Sequence, residues 1–381
     1  MTADSAPVRA IEGQRVSTLE LFFDLVFVFT ITQMTTLVAR DQTLRGVVQA
    51  TLMLGVIWWM YAGYAWLTNA VSPDRGSRRA LLLGGMAAFL VLALAIPHAF
   101  GDSAIAFGIA YAVVVAVHAA LYSRTDSEAT VRSVAGLERF NAVGVMLVLV
   151  GGVIGGPAQY ALWAAAFAWE WITPRLIDDS GFLIGAAHLV ERHGLVVIVA
   201  IGESVVAIGI GASGRPVDLP LALVSVLGLL LSACLWWSYF DGDDAEAERA
   251  LAEAPQARRP RLAVDAFGLW HLPLLGGIVA IAAALREATG RGYGTGGTGE
   301  ALILAGGVTV FLLGDAGFRA TLSLGARRWR LLAAVLAPAT IPLGLGVAVV
   351  AQVGALVVVL GGSLVAERAA ASVGHATSLG P

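Results

Sequence analysis

The sequence predicts an all-α polytopic membrane protein with about twelve transmembrane helices, and three observations support this fold class. Of the 381 residues, 58% are hydrophobic and 13% are charged, whereas soluble proteins carry about 25% charged residues. Apolar runs of membrane-spanning length follow one another along almost the whole chain,. The arginines alternate between two sets of connecting segments. A net charge of −3 without any basic tract gives no indication of nucleic-acid binding,.

The apolar runs divide into twelve predicted spans, each close to the roughly 20 residues that a helix needs to cross a bilayer. Within 138–174 and within 330–367, only a short glycine-containing turn separates two predicted helices. The number of spans in these two regions is therefore open. The predicted spans are 18–39, 47–68, 80–99, 103–122, 138–155, 158–174, 194–212, 219–240, 262–285, 300–319, 330–349 and 351–367.

The distribution of arginine predicts the orientation, because the chain contains no lysine. Nineteen of the 24 arginines fall in the segments on the side of the N-terminus, and five fall in the alternate segments. Positively charged connections remain in the cytoplasm. We therefore predict a multi-pass protein of the bacterial inner (plasma) membrane with both termini cytoplasmic. Residues 1–17 would form an inner segment without a cleaved signal sequence, and residues 368–381 an inner tail.

An internal repeat is suggested by aromatic pairs and acidic residues that recur about 178 residues apart. The corresponding pairs are Asp24 with Glu203, Trp58 with Trp236, and Trp59 with Trp237. An even number of spans in each half would make these two parallel six-helix repeats, 18–176 and 177–367. A charged, solvated cytoplasmic connector is expected at 241–261. The alternative is that the tryptophans are ordinary anchors at the membrane interface.

Acidic residues inside the spans are the first candidates for function. An ionised side chain in hydrocarbon costs several kcal/mol unless it faces protein or water. Asp24 and Glu203 lie deep in their spans and recur in both halves, so we predict that they face a shared, partly hydrated interior. Five further ionisable residues lie in the midplane or the inner half, where a polar pocket and structural ion pairs are both open interpretations. They are Glu20, His118, Glu170, His271 and Asp315.

The segment before the seventh predicted span carries His188, Glu191, Arg192 and His193. His188 and Arg192 share a helix face at i, i+4, so an interfacial helix with local ion pairs is favoured. The two histidines are five residues apart, which is not the i, i+4 spacing that presents two metal ligands on one helix. Ser204 lacks the surroundings of a nucleophile elbow. We therefore assign no metal, cofactor or catalytic residue.

Several motifs together resemble the bacterial low temperature requirement protein A family. They are Glu20-Leu-Phe-Phe-Asp24, Trp58-Trp59, His188-Leu-Val-Glu191-Arg192-His193, Gly202-Glu203-Ser204, Trp236-Trp237-Ser238-Tyr239-Phe240-Asp241 and Trp270-His271. The resemblance covers most of residues 18–280. It implies a polytopic membrane protein linked to growth at low temperature, and it brings no settled biochemical activity.

A shorter resemblance concerns Phe23-Asp24-Leu25-Val26-Phe27. This stretch is similar to the Phe-Ser-Asp-x-Val-Phe motif of the lysosomal potassium channel family related to transmembrane protein 175, whose members also have six-helix repeats. The match is incomplete, because Phe22-Phe23 stands in place of Phe-Ser, and Gly202-Glu203 stands at the corresponding place in the second half.

Three functions are open from the sequence. A transporter or channel-like protein for a small solute or ion would use the buried carboxylates. A membrane-embedded enzyme acting on lipid or isoprenoid would need a denser acidic or histidine motif than this chain shows. A non-catalytic scaffold or sensor is the third. We expect transport rather than catalysis, with the lipid bilayer and a small solute or ion as partners, and we leave a homo-oligomer open.

Overall fold

The computed structural model describes residues 16–70, 76–124, 128–176, 184–291 and 294–378, and within these ranges every regular element is helical. Most of the predicted N-terminal segment 1–17 and the last residues of the tail lie outside them. The helices are α1 (Thr18–Arg40), α2 (Leu44–Ala70), α3 (Gly76–Ala95), α4 (Ala104–Tyr122), α5 (Glu128–Ile154), α6 (Gly156–Leu176), α7 (Ala186–Gly211), α8 (Leu219–Phe240), α9 (Asp243–Glu253), α10 (Arg259–Ala263), α11 (His271–Arg291), α12 (Thr298–Leu322), α13 (Arg328–Leu336), α14 (Ile341–Gly346) and α15 (Val349–Ser378).

Eleven helical segments of the described chain are long and apolar enough to cross a membrane, which confirms a multi-pass helical membrane protein. The number of spans was open within 138–174 and within 330–367, and in both regions the turn separates two helices. Gly155 and Gly156 have φ angles of 68° and 58° between α5 and α6, a conformation that glycine adopts without steric cost. In the second place, α13 and α14 together form one broken span, with Pro338 and Pro342 at the break,.

Helices α1 and α7 lie side by side and run in the same direction. Glu20 of α1 contacts His188 of α7, and further along both helices Thr32 of α1 contacts Glu203 of α7. An even number of crossings must therefore separate the start of α1 from the start of α7. Helix α6, with 21 residues, is not among the eleven segments, and the even number predicts that it is the sixth crossing after α1 to α5. The parallel course agrees with an inner and an outer side assigned by arginine, although the orientation and the repeat both stay predictions.

Helices α11 and α12 approach each other closely, and glycine makes this approach possible. A Cβ atom built on Gly277 would lie 2.6 Å from the carbonyl oxygen of Gly307, and one built on Gly307 would lie 2.9 Å from the Cβ of Ala280. Such contacts are far inside van der Waals distance, so these positions require glycine. Close approach of this kind is how helices associate in lipid, where hydrophobic driving force is lacking.

We expect Gly277→Ala to destabilise the protein by about 1–3 kcal/mol, because the added methyl overpacks this contact. Its neighbour Gly276 is the matched control. A Cβ at Gly276 would meet only a side-chain atom of Leu54 at 3.7 Å, and alanine is the better helix former by about 1 kcal/mol. Gly276→Ala should therefore leave stability unchanged or raise it. Thermal unfolding in detergent measures both, and equal melting temperatures for the two variants would contradict the packing argument.

Two predicted segments differ from the structure. The connector 241–261 contains a helix rather than a loop alone, because α9 begins at Asp243, which is buried and lies 3.1 Å from the Arg319 guanidinium. The predicted span 262–285 is also interrupted, because a π-helical segment, Val264–Leu269, precedes α11. There the indole N–H of Trp58 donates to the Gly268 carbonyl oxygen at 2.6 Å. Local widening of this kind occurs frequently at functional sites.

Candidate functional site: a buried carboxylate–arginine cluster

Two carboxylates of α1 and two cationic or imidazole side chains of α7 form one buried cluster. The Arg192 guanidinium lies 2.9 Å from Glu20 through Nη1 and 2.9 Å from Asp24 through Nη2. Nε2 of His188 lies 3.0 Å from Glu20. Each of the four side chains is at most 3% exposed. Because these charged groups are buried together between α1 and α7, we treat the cluster as the candidate site.

Local sequence explains why these four side chains meet. Glu20 and Asp24 are four residues apart on α1, and His188 and Arg192 are four apart on α7, so each pair shares one helix face. Ser17 caps α1 and donates its backbone N–H and its hydroxyl to Glu20 Oε2, both at 2.8 Å. This leaves Oε1 for Arg192 and His188. The capping box thus fixes the orientation of Glu20 from outside the membrane span.

The prediction of an interfacial helix at 188–193 is wrong. These residues belong to α7, which begins at Ala186, eight residues before the predicted span. His188, Arg192 and His193 are buried in the bundle, while Glu191 accepts a hydrogen bond from the backbone N–H of Val16 at 3.4 Å. A prediction from hydropathy alone places an arginine outside a span. In the folded protein, the two carboxylates of α1 compensate the charge of Arg192. The helix therefore extends further than its apolar run.

The hydrogen bonds of His188 define a neutral imidazole. The side-chain oxygen of Asn69 accepts the backbone N–H of Gly185 at 2.9 Å, so its NH2 group is the one facing His188 Nδ1, at 3.3 Å. Nδ1 must then be the acceptor, and the proton resides on Nε2, which donates to Glu20. With both carboxylates ionised, Arg192 supplies one positive charge against two negative charges. The cluster would carry a net charge of −1.

The donors are distributed unevenly over the two carboxylates. Glu20 receives donors on both oxygens. Asp24 receives Nε and Nη2 of Arg192 and the hydroxyl of Tyr61 on Oδ1, at 3.1, 2.9 and 2.7 Å. No described group donates to its buried Oδ2. A buried carboxylate oxygen without a donor is costly when charged, so Oδ2 of Asp24 is the atom of this cluster best suited to take up a proton or contact a cation.

A layer of aromatic and imidazole rings adjoins the cluster where α2, α7 and α11 meet. The Trp58 ring is stacked on His271 at 6.2 Å, and the His193 and His271 ring centroids are 5.2 Å apart. His271 is held by the Tyr239 hydroxyl at 2.8 Å and the Ala266 carbonyl at 3.0 Å. His271 is thus near the first-half residues, as a polar interior would require, but it does not touch the carboxylates.

Glu203 lies in a separate place. Its carboxylate accepts the Thr32 hydroxyl at 2.6 Å, whereas Asp24 lies eight residues earlier on α1, about 12 Å along the axis at 1.5 Å per residue. Arg286 of α11 donates to Thr36, one turn beyond Thr32, at 3.2 Å. Asp24 and Glu203 face the same helix interface at different depths. The prediction that they face a shared, partly hydrated interior stays a prediction.

The remaining candidates form further structural contacts. Glu170 is buried and accepts the Tyr111 hydroxyl, while His118 Nδ1 lies 2.8 Å from Glu138. Asp315 is fully buried and pairs with Arg330. Trp59 donates to Asn141 at 3.0 Å. The other motif residues lie at the end of α8, where Trp236 and Trp237 are 40% and 42% exposed and Asp241 pairs with Arg368 at 2.7 Å.

Metal binding and nucleophilic chemistry find no further support in the described part of the chain. No three histidine, cysteine, aspartate or glutamate side chains come together there in a way that could hold a metal ion. Ser204 is buried, and among described groups its hydroxyl has no hydrogen-bond partner. It therefore has no base beside it that could activate it as a nucleophile.

Sequence reasoning missed several residues that complete these sites. Tyr61, Asn69, Thr32, Arg286 and Arg330 each donate to a residue described above. Three of them have partners in distant parts of the chain, with sequence separations of 119 for Asn69 and His188, 171 for Thr32 and Glu203, and 250 for Arg286 and Thr36. One signal was present for Tyr61, because it lies one turn after Trp58 and so shares a helix face with it.

Comparison with known proteins agrees with this architecture. The family model described as bacterial low temperature requirement A protein (LtrA) matches residues 15–365. Among curated proteins, the chain is 28% identical over 310 residues to the uncharacterized protein RA0937 of Rhizobium meliloti (strain 1021), covering 77% of this chain and 75% of that protein. No solved structure matches the chain. The match over nearly all of the described helices shows that this chain belongs to the bacterial low temperature requirement A (LtrA) family.

Proposed function

We propose that this membrane protein moves a proton or another small monovalent cation across the bilayer, with the Glu20–Asp24–Arg192 cluster as the binding site. One observation carries the proposal: two buried carboxylates share one arginine, and Oδ2 of Asp24 has no donor among the described residues. A net negative charge at this depth is unfavourable by several kcal/mol. A bound proton or cation removes that charge, so the cluster has an intrinsic affinity for one.

The helix arrangement supports a route past this site. Polar residues follow the α1–α7–α11 interface on both sides of an apolar layer, with the cluster at one end and Thr32, Glu203 and Arg286 at the other. Phe27 and Ile31 of α1 are buried between them. An apolar constriction between two polar regions is one way in which membrane pathways are closed. In the proposed mechanism, this apolar layer would close the route between the two polar regions.

Purified protein in proteoliposomes tests the proposal. With an imposed potential and a pH-sensitive or potassium-sensitive dye inside, the wild type should give flux above empty liposomes. We expect Asp24→Asn to reduce that flux at least tenfold, because the amide preserves shape and removes the titrating, cation-binding charge. Asp102→Asn, at an exposed loop position, is the matched control and should behave as the wild type. Wild-type rates for a folded Asp24→Asn protein would reject the proposal.

The proposal includes the link to growth at low temperature that the family's description names. A deletion strain should regain growth in the cold with the wild-type gene and with Asp102→Asn, but not with Asp24→Asn produced at equal amounts. Full rescue by Asp24→Asn would separate cold growth from the carboxylate cluster.

A lipid- or isoprenoid-modifying enzyme is the second candidate, and one observation speaks for lipid contact. A groove of about 610 Å³ lies between α2, α6, α11 and α12, with Phe167, Trp171 and Leu302 among its lining residues. No acidic, basic or histidine side chain lines it. The groove can therefore accommodate an acyl or isoprenoid chain, but it offers no group for acid–base or nucleophilic catalysis.

A further inference from the structure

A second, smaller cavity lies apart from the carboxylate cluster, on the opposite side of α2. It has a volume of about 70 Å³ and is enclosed by α2, α4, α5, the end of α6 and the π-helical segment. Aromatic side chains dominate its wall, with Trp59, Trp66 and Tyr122, and the glycine Gly63 provides the open side of α2. His118 also lines it, and no acidic or basic side chain is among the other described lining residues.

One nitrogen of the His118 imidazole is hydrogen-bonded to Glu138, and the other has no described partner and could bind a ligand. Nδ1 lies 2.8 Å from Oε1 of Glu138, and an ionised carboxylate only accepts, so Nδ1 carries the proton. Nε2 of the neutral ring is then an acceptor. No described group donates to it, although His118 is only 1% exposed. A buried acceptor without a donor is unfavourable, so a ligand that donates to Nε2 would be stabilised there.

The free nitrogen points toward the cavity. A Cβ atom built on Gly63 would lie 3.1 Å from Nε2 of His118, so the space in front of the ring is the space that the absence of a side chain at Gly63 leaves open. Glu138 is oriented in turn by Asn141, whose NH2 group lies 3.4 Å away and whose oxygen accepts Trp59 Nε1 at 3.0 Å. The ring, the carboxylate and the cavity wall therefore form one connected arrangement.

Charge and size define the ligand class. The Glu138 carboxylate places a negative charge behind His118, no arginine lines the cavity, and aromatic rings attract cations. A ligand must also donate a hydrogen bond to Nε2, which alkali ions cannot do. A volume of about 70 Å³ corresponds to about two water-sized groups at roughly 30 Å³ each. Small cations with N–H donors, such as ammonium and methylammonium, meet all of these conditions.

We propose that the cavity bounded by Gly63, His118 and the aromatic residues of α2 and α4 binds ammonium or an equally small protonated amine. Nε2 of His118 accepts one N–H of the ligand, and Glu138 compensates the charge through the ring. The site does not depend on the proposed transport route, because it shares no residue with the Glu20–Asp24–Arg192 cluster. Loss of flux in Asp24→Asn and loss of ammonium binding are therefore separate outcomes.

Isothermal titration calorimetry on the purified protein in lipid nanodiscs tests the site. Ammonium chloride is compared with potassium chloride at constant ionic strength, because the two cations are similar in size and only ammonium donates hydrogen bonds. The wild type should give saturable binding of ammonium and none of potassium. His118→Phe keeps a ring and removes the acceptor, and Gly63→Ala fills the space in front of Nε2. Both should weaken ammonium binding at least tenfold.

Gly84→Ala is the control, because a Cβ at Gly84 on α3 would meet no atom within 4 Å, and its binding should equal that of the wild type. If His118→Phe fails to fold by size exclusion, Gly63→Ala, which adds one methyl group, still decides the question. Equal responses to ammonium and potassium, or none to either, would overturn the proposal, as they would for a cavity that holds only water. Wild-type affinity in a folded Gly63→Ala protein would also overturn it.

Discussion

Replacement of Arg192 by methionine is expected to destabilise the folded protein by about 3–5 kcal/mol, the cost of breaking a buried ion pair by removing one partner. Arg192 compensates Glu20 and Asp24 at 2.9 Å each and also donates to the Thr68 hydroxyl at 3.2 Å. Without it, two buried carboxylates would face each other across one helix turn. Reversible unfolding in mixed micelles measures the loss, which should exceed that of Asp24→Asn.

The loss of stability in Arg192→Met should be largely reversed when Glu20 and Asp24 are also made neutral. In Arg192→Met combined with Glu20→Gln and Asp24→Asn, no buried charge is left unpaired, and most of the stability should return. Arg175→Met is the matched surface control, because the Arg175–Asp265 pair at 2.9 Å is 41% and 27% exposed and should contribute less than about 1 kcal/mol. A single Arg192→Met variant as stable as the wild type would contradict the argument, as would a triple variant no better than the single one.

Replacement of Arg330 should produce the second large loss of stability, again about 3–5 kcal/mol. Its guanidinium contacts Asp315 of α12, lies 3.2 Å from Glu367 of α15 and 3.8 Å from Asp243 of α9, and donates to the Ser238 carbonyl of α8. One side chain therefore ties four other helices to α13. In Arg330→Met, buried Asp315 loses its hydrogen-bonded partner, and α9 loses part of its attachment to the bundle.

Two measurements distinguish the attachment of α9 by Arg330 from a general effect of removing an arginine. Unfolding in micelles gives the loss of stability, and limited proteolysis within 241–261 should become faster as α9 detaches. Arg368→Met is the control, because Arg368 pairs with Asp241 while 53% exposed, and an exposed ion pair contributes little to stability. Arg330→Met with wild-type stability and wild-type cleavage would show that α9 is held by its apolar residues alone.

Particular residues show where sequence reasoning succeeded and where it did not. The spans could be predicted from the sequence because hydropathy and spanning length are properties of each segment alone, and eleven described segments meet both criteria. The start of α7 could not, because the charge of Arg192 argues against membrane burial until Glu20 and Asp24 are placed beside it. Asp243 was assigned to a solvated loop for the same reason, since its partner Arg319 lies 76 residues further along the chain.

The sequence predicted the two carboxylates of the candidate site but not the side chains that surround them. Asp24 was singled out by the cost of burying an acid, and Glu20 followed as its neighbour on one helix face. Glu203 was paired with Asp24 because the two recur at a similar offset, yet similarity of position within two segments does not determine their relative depth. In the structure the packing of α1 against α7 places Thr32 opposite Glu203 and Arg192 opposite Asp24.

The sequence by itself determined that this protein is a helical, multi-pass membrane protein, where most of its helices lie, and which acids are costly to bury. These follow from the solvent, because the bilayer requires long apolar helices whose backbone groups are satisfied internally. Only the tertiary structure decided which charges compensate each other and which buried atoms lack a donor. Those properties depend on contacts between helices that are distant in the chain, such as Glu20 with His188 and Thr36 with Arg286. A carboxylate's charge and chemistry are set by the groups around it in space rather than by its neighbours in the chain.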